Sequence, residues 1–236
     1  MSRYRMRTRR KNKTKIGGNI SKKKIKTKKK GLDSIFKNIY VKDKWQKNRK
    51  IKESVSGPGS YLKNTINIRK ELPILLERFN IKTMLDIPCG DLNWISKILP
   101  FKNTTYIGAD IVEDLIKKNK IKYPKYNFYT LDLVSDKLPK VDLIMCRDVL
   151  VHLSFENIAL ALENIRKSGI KYLLTTSFSV KKNKDISNGQ WRAINLEKFP
   201  FKLGKSIYRI IENEKYKRKG TKIKINKEIL MFELKN

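Results

Sequence analysis

A chain of 236 residues is long enough for one domain of ordinary size with a substantial core. Its net charge of +34 is extreme but uneven: 15 of the 56 Lys and Arg stand in the first thirty residues, without an acid, leaving 41 bases against 22 acids in the rest. Two cysteines without a CxxC partner and a single histidine argue against a zinc site or a disulfide framework, so no metal is expected. The basic stretch lacks the apolar centre of a signal peptide, and no run reaches the roughly eighteen apolar residues that span a bilayer. A soluble, intracellular protein is expected, cytoplasmic or nuclear and not secreted, with no membrane partner.

Residues 1–31, MSRYRMRTRRKNKTKIGGNISKKKIKTKKKG, can neither bury apolar surface nor tolerate their own charge in a compact state, and read as a disordered basic tail. Such an arm suits a nucleic acid or other polyanion, held by counterion release, or a nuclear-import signal; a plain solvated tail is the alternative. The surplus of Lys in the body accompanies many Ile and Asn, a mix that AT-rich coding also produces, so it says little about nucleic acid.

A single domain is expected over 32–236, opening with helical elements over 32–80. Leu32, Ile35, Phe36, Ile39 and Tyr40 fall at helical spacing, with Asp33 or Ser34 as the N-cap. Ser54 to Ser60 is a loop by composition. Residues 61–70 and 73–79 read as two helical pieces, because Leu72 precedes a proline and Pro73 suits a first helical turn.

Beyond residue 80, strand-like runs at 83–87, 106–110, 127–133, 141–146 and 171–177 alternate with helical patterns at 92–99, 112–122 and 155–167, the last capped by Ser154. That is βαβαβ, with a mostly parallel sheet between helices. Two late strands, 206–212 and 228–234, have no helix between them and predict an antiparallel hairpin at one sheet edge. The fold class is α/β, a Rossmann-like three-layer sandwich with a seven-stranded sheet.

In such a sheet, ligands bind beyond the carboxyl ends of the strands. Asp86 lies in the first turn, Asp110 ends the second strand and Asp132 the third, 24 and 22 residues apart. An acid ending the second strand can accept hydrogen bonds from both ribose hydroxyls and would repel a 2′-phosphate, so an adenosine-type ligand is expected. The turn Pro88-Cys89-Gly90-Asp91 then separates NAD from S-adenosylmethionine. A pyrophosphate wants the close backbone approach of GxGxxG, whereas this turn has one glycine and a carboxylate. Asp91 beside a pyrophosphate would cost on the order of several kcal/mol in a partly buried site; a zwitterionic amino-acid end tolerates it.

The set SGPGS at 56–60, LDIPCGDLNW at 85–94, YIGADIVEDLI at 106–116, MCRDVLVHLS at 145–154, YLLTTSF at 172–178 and WRAINL at 191–196 resembles the class I S-adenosylmethionine-dependent methyltransferases, over roughly residues 54–235. Within them it looks like a narrower, mostly bacterial group with a PCGD turn and no settled substrate. The superfamily's G-x-G-x-G turn has Pro88 and Leu92 in place of its first and last glycines. The resemblance implies S-adenosylmethionine as cofactor, with Asp86, Pro88, Cys89, Gly90 and Asp91 around its methionine end and Asp110 at the ribose. Asp132 would face the adenine amino group, Ile111 and Leu133 would pack on the ring, and Cys146 and Arg147 would lie beside the sulfonium.

Plainer roles stand beside these. Asp110 can cap the next helix, Asp91 can cap a helix starting at 92, and Asp132 can hold a turn. Cys89 and Cys146 suit small buried positions, and Trp94 is either a core anchor or a pocket wall. Asp148 and His152 are the candidate general bases if the acceptor must lose a proton; a lone His is equally a structural residue. An (N/D)PP(Y/F) motif, a catalytic Pro-Cys after the fourth strand and a K-D-K-E set are not evident, so the acceptor stays unidentified. The SGPGS loop and segment 179–205 are where its pocket is expected. The rivals are a nucleic-acid-binding protein on an inactive methyltransferase fold and an NAD-linked oxidoreductase.

Overall fold

The computed structural model describes residues 31–47, 50–217 and 224–234. All of the expected basic tail except Gly31 lies outside the described residues.

Seven strands form one sheet: β1 (Thr83–Asp86), β2 (Thr105–Asp110), β3 (Asn127–Thr130), β4 (Leu143–Cys146), β5 (Tyr172–Phe178), β6 (Tyr208–Lys217) and β7 (Lys224–Glu233), in the order β3-β2-β1-β4-β5-β7-β6. The first five run parallel, and β7 pairs antiparallel with both β5 and β6. The expected sheet and its C-terminal hairpin are both present.

Strict alternation along the strands divides the core. Leu85, Ile144, Leu173 and Leu230 point to one face, where helix α4 (Phe155–Lys167) packs with Phe36 and Ile39 of α1 (Leu32–Val41). Met84, Met145, Leu174 and Met231 point to the other, covered by helix α2 (Ile66–Arg78). Each one-residue step reverses the face, and because both faces are covered the central strand β4 is apolar and buried at every position. Helix α3 (Glu113–Lys122) crosses between β2 and β3 and sends Leu115 to one cluster and Ile116 to the other.

Three local expectations change. Residues 92–99 form no α-helix, only a 3-10 turn at Ile95–Lys97. Leu92 sits at φ 57°, outside the helical region, and the apolar spacing of Leu92, Ile95 and Ile98 is three residues, which a 3-10 turn aligns as well as an α-helix does. Asp91 therefore caps no helix there. Second, α2 runs unbroken through Pro73. Ile68, Leu72, Leu75 and Leu76 make one buried stripe across it. Burying each is worth about 1.5–3 kcal/mol, together more than the roughly 3 kcal/mol an interior proline costs. Third, α1 is preceded by Gly31 without a side-chain cap, and Asp33 lies inside its first turn, near the positive end of the helix dipole. Ser154 does cap α4, its Oγ accepting from the Asn157 amide at 3.3 Å. Among the described residues no helix is long and apolar enough to cross a membrane.

Candidate active site

The carboxyl ends of β1, β2 and β4 open into a cavity of about 360 Å³, a size that suits a small organic ligand. Its floor begins with Asp86, the last residue of β1, which is 3% exposed and accepts a hydrogen bond from the Tyr106 hydroxyl at 2.9 Å. Burial pushes its carboxyl up to about 8, against the opposing effects of that hydrogen bond and of the Arg147 guanidinium. The turn that follows is stitched to both neighbouring strands: the Ile87 amide donates to Met145 O at 3.0 Å and the Cys89 amide to Ala109 O at 2.7 Å. Gly90 is at φ 58°, and a Cβ there would collide with Ser56 Oγ, so glycine is required on both counts.

Asp110 closes β2. Its carboxylate accepts from the Gly90 amide at 3.2 Å and the Val112 amide at 3.0 Å, so it holds the turn as well as facing the cavity. Burial raises its carboxyl to about 6, with the backbone donors pulling the other way. Asp132 is half-buried, accepts from the Val134 amide at 2.8 Å, and is likewise raised, mainly by burial. Asp86, Pro88, Cys89, Gly90, Asp110, Ile111, Asp132, Leu133 and Arg147 all line this one cavity. Asp86, Asp110 and Asp132 form no ion pair among the described residues.

Two of the expected residues do not reach it. Asp91 turns to the loop that contains SGPGS, accepting from Ser54 Oγ at 2.8 Å, Val55 N at 2.9 Å and Ser56 Oγ at 3.3 Å. It thereby draws residues 55–60 over the cavity, where they form one wall. Cys146 is fully buried, packed on the α4 face with Ile144, because β4 alternation turns its side chain away from the strand's open end. Burial also drives its thiol well above the usual range.

Arg147 lines the cavity, but its guanidinium is engaged in a buried ring of charges. It meets Glu212 at 2.8 Å and Asp148 at 3.2 Å, and donates to Gly59 O at 2.8 Å. Lys227 Nζ completes the ring, 2.9 Å from Glu212 and 2.7 Å from Asp148. Two cations and two anions thus neutralise one another, tying β4, β6, β7 and the SGPGS loop together. Burial would raise the Asp148 carboxyl, but the Lys227 and Arg147 charges, with hydrogen bonds from Lys227 and Thr176, outweigh it and hold Asp148 far below the usual carboxylate range. A carboxylate so committed is a poor proton acceptor, which corrects the expectation that it serves as a base.

His152 differs. Its Nδ1 lies 2.8 Å from Gln190 O, and since a carbonyl only accepts, Nδ1 carries the hydrogen and Nε2 the lone pair. Burial lowers its pKa below the usual histidine value, so the ring is neutral at pH 7.

Sequence reasoning did not foresee Trp45, whose ring centroid is 5.6 Å from that of His152, nor Tyr106, Glu212 and Lys227. One signal was available. In the two hairpin strands the inward positions are apolar at Ile210, Ile229 and Met231, and the next positions of the same alternation are Glu212 and Lys227, both buried. A charge at an inward strand position requires a partner. Trp94 proves to be both core and wall: it is 6% exposed, lines the cavity and lies under the Arg147 guanidinium at 5.5 Å. Of segment 179–205, Trp191 reaches the cavity, while Arg192 is buried and donates to Leu150 O and Leu153 O. α1 lines the cavity with Leu32, Phe36 and Tyr40, held to α3 where Lys118 meets the Tyr40 hydroxyl at 3.1 Å, and packed by Ile35 and Ile39 over Gly189.

Residues 85–168 match the family model described as a methyltransferase domain. The fold is the Rossmann-like methyltransferase fold. It superposes on magnesium protoporphyrin IX methyltransferase from Synechocystis PCC 6803 with bound SAM at a TM-score of 0.54 and 13% identity, covering 85% of this chain and 98% of that one. The same enzyme with bound SAH gives 0.53 at 12% identity, covering 85% and 100%. The methyltransferase domain of the bacterial protein CtHen1 gives 0.50 at 14% identity, covering 71% and 98%. A search of the curated proteins finds no match.

Proposed function

We propose that the protein is a methyltransferase that takes its methyl group from S-adenosylmethionine. The observation that carries this reading is the convergence of Asp86, Asp110 and Asp132 on one cavity without an ion-pair partner among the described residues, in a segment that matches a methyltransferase domain. Asp86 is buried without an ion-pair partner among the described residues, and the ammonium of an amino-acid end would supply the charge that stabilises its carboxylate form. Asp110 would take the ribose hydroxyls on the lone pairs its backbone donors leave open. Asp132 would face the adenine amino group, with Ile111 and Leu133 against the ring. Among the described residues no Lys lines the cavity, so a pyrophosphate would meet Asp86, Asp110 and Asp132 there without an ammonium, which disfavours NAD.

The cofactor brings an already activated methyl group, so the protein's task is alignment, exclusion of water and removal of a proton from the acceptor. Cys89, Gly90 and Pro88 position the methionine end. His152, neutral and with Nε2 unprotonated, is the group suited to take the proton; Asp148 instead braces the loop above the ring.

Calorimetry with S-adenosylhomocysteine tests the reading. Binding should occur, and Asp110→Ala should weaken it by about 1–3 kcal/mol through lost charged hydrogen bonds. Absence of heat, or stabilisation by NAD alone, would refute it. The basic tail is a separate proposal, an arm for nucleic acid or another polyanion. Deleting residues 1–30 should reduce salt-sensitive polyanion binding and leave the cofactor affinity unchanged.

A further inference from the structure

The stretch 179–205 contains no helix or strand, yet its residues 189–192 are fastened to one short turn at four successive carbonyls. That turn is the 3-10 turn Leu150–His152, between β4 and α4. Leu153 follows in extended conformation, at φ −102° and ψ 147°, so the carbonyls of 151–153 lack the donors that a continuing helix supplies. Leu150, Val151 and Leu153 are buried, and main-chain carbonyls there need partners from elsewhere in the chain. Arg192 Nη1 donates to Leu150 O and Nη2 to Leu153 O, each at 2.8 Å. The Arg192 amide donates to Val151 O at 3.1 Å, and the Gly189 amide to His152 O at 2.8 Å.

Arg192 is the centre of this clamp. It is 7% exposed, and its guanidinium bonds all go to main-chain carbonyls, the third from Nε to Lys184 O at 3.2 Å. A buried guanidinium is costly unless its N–H groups are met, and here one planar fork meets two carbonyls three residues apart. The clamped turn carries His152, whose Nδ1 hydrogen goes to Gln190 O at 2.8 Å. Gln190 lies between Gly189 and Arg192, the two residues bonded to the turn, so its carbonyl and the imidazole are held to one another from both sides. In a free neutral imidazole the Nε2–H tautomer is favoured; a fixed acceptor at Nδ1 reverses that preference and leaves the lone pair on Nε2.

We infer that Arg192 is a positioning residue for methyl transfer: by clamping turn 150–153 to segment 189–192 it keeps the Gln190 carbonyl on His152 Nδ1, and so holds the ring in the tautomer whose Nε2 can accept a proton. This rests on the reading of His152 as the proton acceptor given above. Arg192 lies outside the cavity lining and acts through the histidine.

His152 is the one histidine of the chain, so its ring nitrogens can be observed alone. Long-range proton–nitrogen correlation NMR of the untagged full-length protein, at about pH 8 where an ordinary histidine is neutral, reports the tautomer directly. The parent should show predominantly the Nδ1–H form. The ratio of Nδ1–H to Nε2–H should fall by about tenfold or more in Arg192→Ala, and by about threefold or more in Arg192→Lys, which keeps the charge but not the fork. Ser154→Ala, which removes the cap of α4 two residues from His152, is the structural comparison: it should lower the melting temperature and leave the ratio unchanged. A cooperative melt reports that each variant is folded, and Arg192→Lys carries the test if Arg192→Ala does not fold. An Nε2–H parent, the parental ratio in the folded Arg192 variants, or an equal fall in Ser154→Ala overturns the inference. Absence of calorimetric S-adenosylhomocysteine binding by the parent overturns the cofactor reading instead.

Discussion

Asp91 and Ser56 bond reciprocally: the Asp91 amide donates to Ser56 Oγ at 3.2 Å, and the Ser56 hydroxyl donates to Asp91 Oδ1 at 3.3 Å. The carboxylate that reads in sequence as part of the cofactor turn is thus a clasp, joining that turn to a loop 35 residues earlier. Asp91→Ala frees this loop and strands the Val55 amide. Cofactor affinity should fall by about 1–2 kcal/mol, roughly five- to thirtyfold, from the lost hydrogen bonds alone. An unchanged calorimetric affinity would mean that the loop holds its place without the clasp.

Asp86 makes cofactor binding depend on pH. Its carboxyl is raised to about 8, so the free protein holds it largely protonated at neutral pH, whereas an ammonium needs the carboxylate. Binding near pH 7 must therefore release a proton. Affinity should rise as pH increases from about 6 to 7.5, before the ligand's own amine begins to lose its proton. Calorimetry in buffers of different ionisation heat counts the proton directly. In Asp86→Asn that count should vanish and the affinity fall at every pH.

The buried ring gives a stability prediction. Glu212→Ala removes one of the two carboxylates that the ring offers Arg147 and Lys227, and removing one partner from a buried ionic group costs about 3–5 kcal/mol. For a chain of this size that is a drop in melting temperature of roughly 6–20 °C. Asp148 adds a pH dependence of definite sign. Its carboxyl is lowered by Lys227 and Arg147 despite burial, so its contribution is complete above the unfolded-state value near 4 and is lost as pH falls through and below it. Acid melts of the parent and of Asp148→Asn should converge at low pH; parallel curves would contradict the assignment.

His152 should govern the rate and leave cofactor affinity alone. His152→Ala is expected to lower kcat about 10²- to 10⁴-fold with the affinity for S-adenosylhomocysteine intact. In the parent, activity should rise with pH through an inflection below the ordinary histidine value, since burial lowers this ring's pKa, and then stay level. A profile without that inflection would remove His152 as the proton acceptor.

Much of this was legible in the sequence. Apolar runs separated by helical periods gave the parallel sheet, and the absence of a helix between the last two runs gave the hairpin. Asp86 and Asp110 could be assigned to strand ends because a strand's end is marked locally, by the turn residues that follow it, whereas β3 stops at Thr130 and Asp132 lies two residues past it. The failures are equally instructive. The pattern at 92–99 fits α and 3-10 geometry alike, and the backbone at Leu92 decided between them. The exclusion of Cys146 turned on a strand register that one residue reverses.

The amino-acid sequence by itself thus determined the fold class and the three carboxylates that line the cavity, since both follow from local periodicity and spacing. The tertiary structure alone decided what the remaining charges do. Arg147, Asp148, Glu212 and Lys227 come from three separate stretches of chain and meet only when β7 inserts between β5 and β6. There they pair with one another, which holds Asp148 as a committed carboxylate and fastens the SGPGS loop above the sheet. No spacing in the chain encodes that meeting, because electrostatic partners are chosen by distance in space.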